Sequence, residues 1–339
     1  MTDLLVLLLA AGAAASVAIA LVLTIRAGLR RAFGATLAYG AWVTVPVVML
    51  AIVIAASDNF SRVTAGDSYP FAYAADALTT LVIAVSSWST ALVATWVGGV
   101  LVSAAVLWVM QVRFRKGLGT LTQRNGLWYA QRADVSPAVM GLLRPTVVVP
   151  ADFESRYTAE EQMLILAHER AHVSRGDLIA NAVGVVVQCL LWFNPLAHLA
   201  SSRFRFDQEL ACDATTLRDR SRSRKTYAAA LLKTLSPEPA PPFSSRWQAA
   251  HPLKGRILNL QKPAMSRRRR VFGHVLVVAL SATLAAAAWD VRPVQDFRAV
   301  AGARARAAHP GVGAACPLAQ ARLAALARVL PAAAGIPKR

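Results

Sequence analysis

The stretch His168-Glu169-Arg170-Ala171-His172 combines residue types and spacing that can do chemistry. On a helix the two histidines lie one turn apart on one face, so both imidazoles can reach one ion at about 2.0–2.1 Å, the usual zinc–nitrogen distance. Glu169 sits beside His168, where its carboxylate can take a proton from a metal-activated water. The flanking sequence asks for a helix. Thr158 and Glu161 have the spacing of a capping box, in which each side chain satisfies an orphan amide at the helix start. Met163, Leu164, Leu166 and Ala167 supply an apolar face. Gly176 falls where a left-handed closing residue is wanted. The bland alternative is two histidines in a helix with a surface glutamate between them, and this context disfavours it.

A catalytic zinc takes three protein ligands and keeps a position open for water. Cys212, His198, His251 and Glu209 are candidates for the third ligand. Glu209 and Asp213 share a helix face at i and i+4, so Glu209 can ligate while Asp213 holds a ligating imidazole through its other ring nitrogen. Cys212 is expected to project elsewhere on that helix and to pack as a small buried residue. His198 ends an apolar segment and reads as a core or interface histidine. Glu209 is the preferred third ligand.

The elements that position these residues must fit an unusual composition. The chain carries 37 Lys and Arg against 18 Asp and Glu, a net charge of +19, yet 56% of it is hydrophobic and only 16% charged. An ordinary soluble domain carries roughly 25% charged residues. A cytosolic globular enzyme and a disordered polycation are both excluded. An integral membrane protein with basic cytoplasmic segments, in contact with membrane lipids, fits both facts. Cys189, Cys212 and Cys316 are too dispersed for a disulfide scaffold or an all-cysteine metal site.

Uncharged runs predict four spans. Leu4 to Ile25 precedes Arg26, Arg30 and Arg31 and reads as an uncleaved anchor rather than a signal peptide. The second run is Ala32 to Ser57, followed by a loop poor in positive charge from Asp58 to Asp76. Ala77 to Val112 exceeds one span, with Ala77 to Ser87 as an interfacial lead-in, and ends at Arg113, Arg115 and Lys116. Val271 to Trp289 follows four arginines, Arg267 to Arg270. Positive charge marks the inside, so both termini are expected outside an inner (plasma) membrane and residues 113–270 in the cytoplasm. The arginine runs lack interleaved aromatics and abut span ends, so direct nucleic-acid binding is not expected. The uncharged stretch Leu178 to Ser202 cannot be a fifth span if His172 and Glu209 share one ion. It is expected as a helix in the peptidase core or against the inner leaflet, broken at Asn194-Pro195, with a re-entrant hairpin as the alternative.

These residues resemble a known family, the membrane-embedded zinc metallopeptidases of the beta-lactam antirepressor type, the Bla/Mec signal transducers. The likeness rests on Ser136 to Gly141, Pro145 to Pro150, His168 to Asp177, Trp192-Phe193-Asn194-Pro195, and Glu209 to Asp213. The resemblance implies zinc bound by His168, His172 and Glu209, with Glu169 as catalytic base and Asp213 supporting the site. It also implies a mainly α fold: a polytopic membrane protein with about four transmembrane helices and a zincin-like (gluzincin) metallopeptidase domain. A small β element is expected from Leu127 to Ala133 and Thr146 to Val149. The division expected is 1–112 with three spans, 113–270 as the peptidase, 271–290 as the fourth span and 291–339 as a short external tail. Beta-lactam sensors of this type carry a penicillin-binding domain after the fourth span. Here that region is short and the sequence contains no Ser-x-x-Lys, so direct beta-lactam binding is not expected.

The leading expectation is an endopeptidase that relays a signal by cutting a cytoplasmic protein, a winged-helix transcriptional repressor being the favoured partner. A membrane quality-control peptidase and a non-catalytic adaptor with a structural zinc are the alternatives. The signal is expected from a separate sensor partner or to be absent, with constitutive activity. Homo-oligomerisation stays open. Arg298, Arg304, Arg306, Arg322 and Arg328 in the tail offer charge to an acidic partner.

Overall fold

The computed structural model describes residues 2–58, 88–234, 245–246, 253–262 and 265–290. The expectations for the loop after residue 58, the lead-in 77–87, His251 and the tail 291–339 lie outside these residues. Helices dominate, with one small sheet.

Among the described residues, four helices are long and apolar enough to cross a membrane, Leu4–Phe33, Ala35–Ala56, Ser89–Gly117 and Arg267–Trp289, and the bent pair Ala159–Ser174 with Asp177–Leu190 meets the same test only when taken together. The first is carried by α1 (Thr2–Phe33). The second comprises α2 (Ala35–Gly40), a 3-10 turn, and α3 (Thr44–Asp58). The others are α4 (Ser89–Gly117) and, at the end of the described chain, α11 (Arg267–Asp290). Ala15, Ala18, Ile19 and Val22 of α1 are buried with Leu37, Trp42, Val45, Val48 and Ile52 of the second span and with Val277 of α11. Small residues on α1 let these helices approach closely, which is how apolar helices associate where water supplies no driving force. Thr44 Oγ1 and Ser281 Oγ, both buried, share a hydrogen bond of 2.7 Å across this bundle.

After α4 the chain forms β1 (Thr122–Arg124), β2 (Leu127–Tyr129), β3 (Ala138–Met140) and β4 (Thr146–Val149). With β5 (Ser245–Arg246) these make a sheet of order β1-β2-β4-β3-β5. Asn125 and Gly126 both have positive φ and close the β1–β2 hairpin in two residues, the backbone a tight turn of that hand requires. The β2–β4 pair is parallel and the others antiparallel.

Past the short α5 (Phe153–Arg156), the motif helix α6 (Ala159–Ser174) packs on β3 and β4. Its capping box is formed: Thr158 Oγ1 accepts from the Glu161 amide and Glu161 Oε2 from the Thr158 amide. Gly176, at φ 70°, turns the chain into α7 (Asp177–Leu190). The two helices meet at 58°. At a rise of 1.5 Å per residue the 14 residues of α7 cover only about 21 Å, short of a roughly 30 Å hydrocarbon layer. The stretch 178–202 does break at Asn194-Pro195. Asn194 Oδ1 caps the amide of Leu196, and Pro195 opens α8 (Pro195–Thr216). One face of α7 is buried at Leu178, Asn181 and Val185, while Ile179, Val183 and Val186 are exposed. Its end rests on α4. Trp96 Nε1 donates to the Leu190 carbonyl at 2.9 Å, and a Cβ on Gly99 would lie 2.0 Å from the Trp192 ring. Helices α9 (Arg224–Lys233) and α10 (Leu253–Leu260) complete the segment between α4 and α11. Phe153, Leu164, Ile165, Tyr227, Leu231 and Leu260 form its apolar centre.

Candidate metal centre

Three elements converge on one buried pocket. Helix α6 contributes His168, Glu169 and His172, α8 contributes Glu209, Cys212 and Asp213, and α10 contributes Arg256; none is more than 3% exposed. His168 Nε2 and His172 Nε2 face each other at 3.1 Å. Glu209 Oε2 lies 3.4 Å from His168 Nε2, and Glu209 Oε1 lies 3.7 Å from His172 Nε2. Ligands bonded at about 2.05 Å to a tetrahedral ion stand about 3.3 Å apart. These spacings match that figure.

The far sides of both imidazoles are fixed. His172 Nδ1 donates to Asp177 Oδ2 at 2.7 Å. His168 Nδ1 faces Tyr227 Oη at 2.7 Å, and that hydroxyl donates to Asp213 Oδ1, also at 2.7 Å. The hydroxyl therefore accepts from His168, and the network assigns both rings the tautomer with Nδ1 protonated and Nε2 bare. Two bare nitrogens 3.1 Å apart repel unless a metal ion or a proton lies between them, and with Glu209 beside them the donor set fits a metal ion. Asp213 is held by Arg256 through Nε at 2.9 Å and Nη2 at 2.6 Å, while Arg256 Nη1 stands 3.2 Å from Glu209 Oε2. This guanidinium offsets two buried carboxylates that would otherwise be costly to desolvate.

Glu169 is fully buried and neither of its carboxylate oxygens has a hydrogen-bond partner among the described residues. Burial, with a smaller contribution from Glu209, pushes its carboxyl up to about 8, against the pull of His172 and Arg256. Such a group is poised to exchange a proton near neutral pH. Burial and the neighbouring His172 and Arg256 hold His168 well below the usual imidazole range. Burial also disfavours a charged His172, but Cys212, Asp177 and Glu209 outweigh it and hold that ring above its usual range.

The pocket brings together His168, Glu169, His172, Glu209 and Asp213. His198 lies elsewhere and exposed, with Nε2 2.8 Å from the Trp192 carbonyl. Cys212 departs from expectation. Rather than projecting away, its Sγ lies with the histidine ligand atoms in a cluster no wider than 4.8 Å. Positions 209 and 212 are i and i+3 on α8, so they are also neighbours on one helix surface. The thiol donates to the His168 carbonyl at 3.3 Å, and burial pushes it up to about 11. A protonated thiol is a poor ligand, whereas Glu209 meets the distances as a carboxylate. Asp177, Tyr227 and Arg256 belong to the pocket but were missed. Only Asp177 left a signal, five residues after His172 and just past the Gly176 turn.

Comparison with known proteins bears on the whole of this region. A family described as BlaR1 peptidase M56 matches residues 6–260. The chain is 32% identical to the regulatory protein BlaR1 of Bacillus licheniformis over 83 residues, 24% of this chain and 14% of that protein. It is 31% identical to the methicillin resistance mecR1 protein of Staphylococcus aureus over 106 residues, 31% of this chain and 18% of that protein. The matched stretches thus span less than a fifth of the length of these relatives.

Proposed function

The chain belongs to the BlaR1 peptidase M56 family, and from that premise we propose that it is a membrane-anchored zinc endopeptidase that cuts a cytoplasmic protein in signal transduction. Its relatives carry the names of a regulatory protein and a resistance protein, which favours a transcriptional repressor as the substrate over a quality-control role. The observation that carries the reading is the Glu169 carboxylate, buried and unpartnered beside three ligand atoms spaced for one ion.

His168, His172 and Glu209 would hold the zinc. The ion supplies Lewis acidity there, polarising a carbonyl and making water acidic enough to ionise near neutral pH. Glu169 takes the proton from the attacking water and returns it to the leaving amine. Asp177, and Tyr227 with Asp213, keep each imidazole in the tautomer whose Nε2 lone pair points inward. Arg256 sets its guanidinium against the carboxyl groups of Glu209 and Asp213 in the buried pocket.

Glu169→Gln keeps the shape and removes the base. The variant is expected to retain zinc and to cut the candidate repressor about 10²-fold or more slowly, which cleavage assays with metal analysis would measure. Normal cleavage by the folded, zinc-loaded variant would remove Glu169 from the mechanism.

A further inference from the structure

One support of the metal pocket comes from outside the peptidase segment. Tyr39 lies in α2, one turn into the second candidate span. Its hydroxyl donates to Asp177 Oδ1 at 2.9 Å, while the other oxygen of that carboxylate accepts from His172 Nδ1. The hydroxyl itself is aimed: Gln208 Nε2 donates to it at 3.0 Å and also donates to Asn181 Oδ1 at 3.0 Å. Arg175 stacks over the Tyr39 ring at 4.8 Å and reaches Asp177 Oδ2 at 3.4 Å.

Asp177 is fully buried and follows Gly176, a residue that adds no side chain to restrain it. A carboxylate in that place can rotate about its own bonds unless both oxygens are held. Tyr39 holds the oxygen that His172 does not use. Without it, the carboxylate plane and hence the His172 ring lose a fixed direction, and Nε2 no longer points reliably at the shared ion. We propose that Tyr39 is a positioning residue of the metal centre, setting the orientation of His172 through Asp177, so that the first membrane hairpin is part of the zinc site. This rests on reading the pocket as a zinc site.

The test uses the full chain purified in detergent. Tyr39→Phe keeps the ring under Arg175 and removes only the hydroxyl. Groups that hydrogen-bond a metal ligand typically change affinity 10–100-fold, and Tyr39 acts one bond further out, so about a tenfold loss of zinc affinity is expected in chelator competition. The visible spectrum of the cobalt-loaded variant should shift, which a merely structural role would not cause. Thr44→Val removes a buried hydrogen bond of the same hairpin that faces α11; it should lower thermal stability and leave zinc affinity and the cobalt spectrum unchanged. Zinc affinity of Tyr39→Phe within about twofold of the parent, or an equal loss in Thr44→Val, would overturn the proposal. Failure of the unaltered chain to take up zinc would instead overturn the metal reading beneath it.

Discussion

Two imidazole nitrogens aimed at each other at 3.1 Å are held by a metal ion or, in its absence, by a proton shared between them, and which residue completes the metal set can be decided chemically. Glu209 offers a carboxyl oxygen at the right distances, whereas Cys212 offers a thiol already donating to a backbone carbonyl. Glu209→Ala should therefore lose stoichiometric zinc and Cys212→Ala should keep it, as elemental analysis of the purified variants would show. The reverse result would make the thiolate the ligand. Protons compete for the same atoms. In the metal-free pocket His172 is held above its usual range and Glu169 near 8, so near neutral pH both retain protons that a dication must displace. Zinc affinity should rise from about pH 6 to about pH 8, and its uptake should release at least one proton. Calorimetric heats that depend on the buffer's ionisation enthalpy would report that release, and buffer-independent heats would contradict it. The candidate ligands His168, His172 and Glu209, and Asp213 behind them, were legible because they lie on helices, where a fixed period converts spacing into direction. Tyr227, Arg256 and Tyr39 were not, because each arrives from another element and only tertiary packing brings it to the pocket.

At the scale of elements, α8 joins the metal pocket to the membrane bundle. Two residues before Glu209, Asp207 accepts both hydrogen bonds of Arg26 Nη1 at 3.0 Å, one from Arg30 Nη1 at 3.0 Å and one from Trp42 Nε1 at 3.0 Å. The Asp207 side chain is wholly buried and those of Arg26 and Arg30 are 12% and 20% exposed, so this is not a solvated surface pair. Asp207→Asn should cost about 3 kcal/mol, the low end for breaking a buried ion pair because the arginines keep some water, and thermal unfolding in detergent would measure it. A loss no larger than that of an exposed pair would mean that the arginines find other partners. In the sequence, Arg26 and Arg30 were legible as the basic end of a span, and their second use was not. An arginine at the membrane surface and one that clamps a distant aspartate look alike until α8 is folded against α1. The uncharged stretch 178–202 shows the opposite case. Its break at Asn194-Pro195 could be read from the residues alone, since proline has no amide to continue a helix and Asn194 can cap the next one.

For the whole molecule, the question is which way the bundle faces. Positive residues close α1 at Arg30 and Arg31, close α4 at Arg115 and Lys116, and open α11 at Arg267 to Arg270. The ends of α1 and α11 are brought together. Arg30, Gly34 and Arg270 line one cavity with Asp213 and Leu217 of the peptidase segment, and the rings of Phe33 and Phe272 meet at a tilt of 40° with centroids 6.0 Å apart. One face of the bundle thus carries the basic ends of α1 and α11 and abuts the metal pocket at Asp213. By the positive-inside rule we predict that this face, and the peptidase segment with it, lies in the cytoplasm. The prediction follows for impermeant maleimide labelling of single cysteines in a Cys316→Ser background, Cys189 and Cys212 being buried. Cysteines at Leu143, which is 92% exposed, and at Lys225, also exposed, should react only after the membrane is opened. Cysteines at Arg62 and Gln320 should react from outside. Labelling of position 225 from outside, with position 143 protected, would require residues 178–202 to cross the bilayer. His172 and Glu209 would then stand on opposite sides of it, and no single ion could join them.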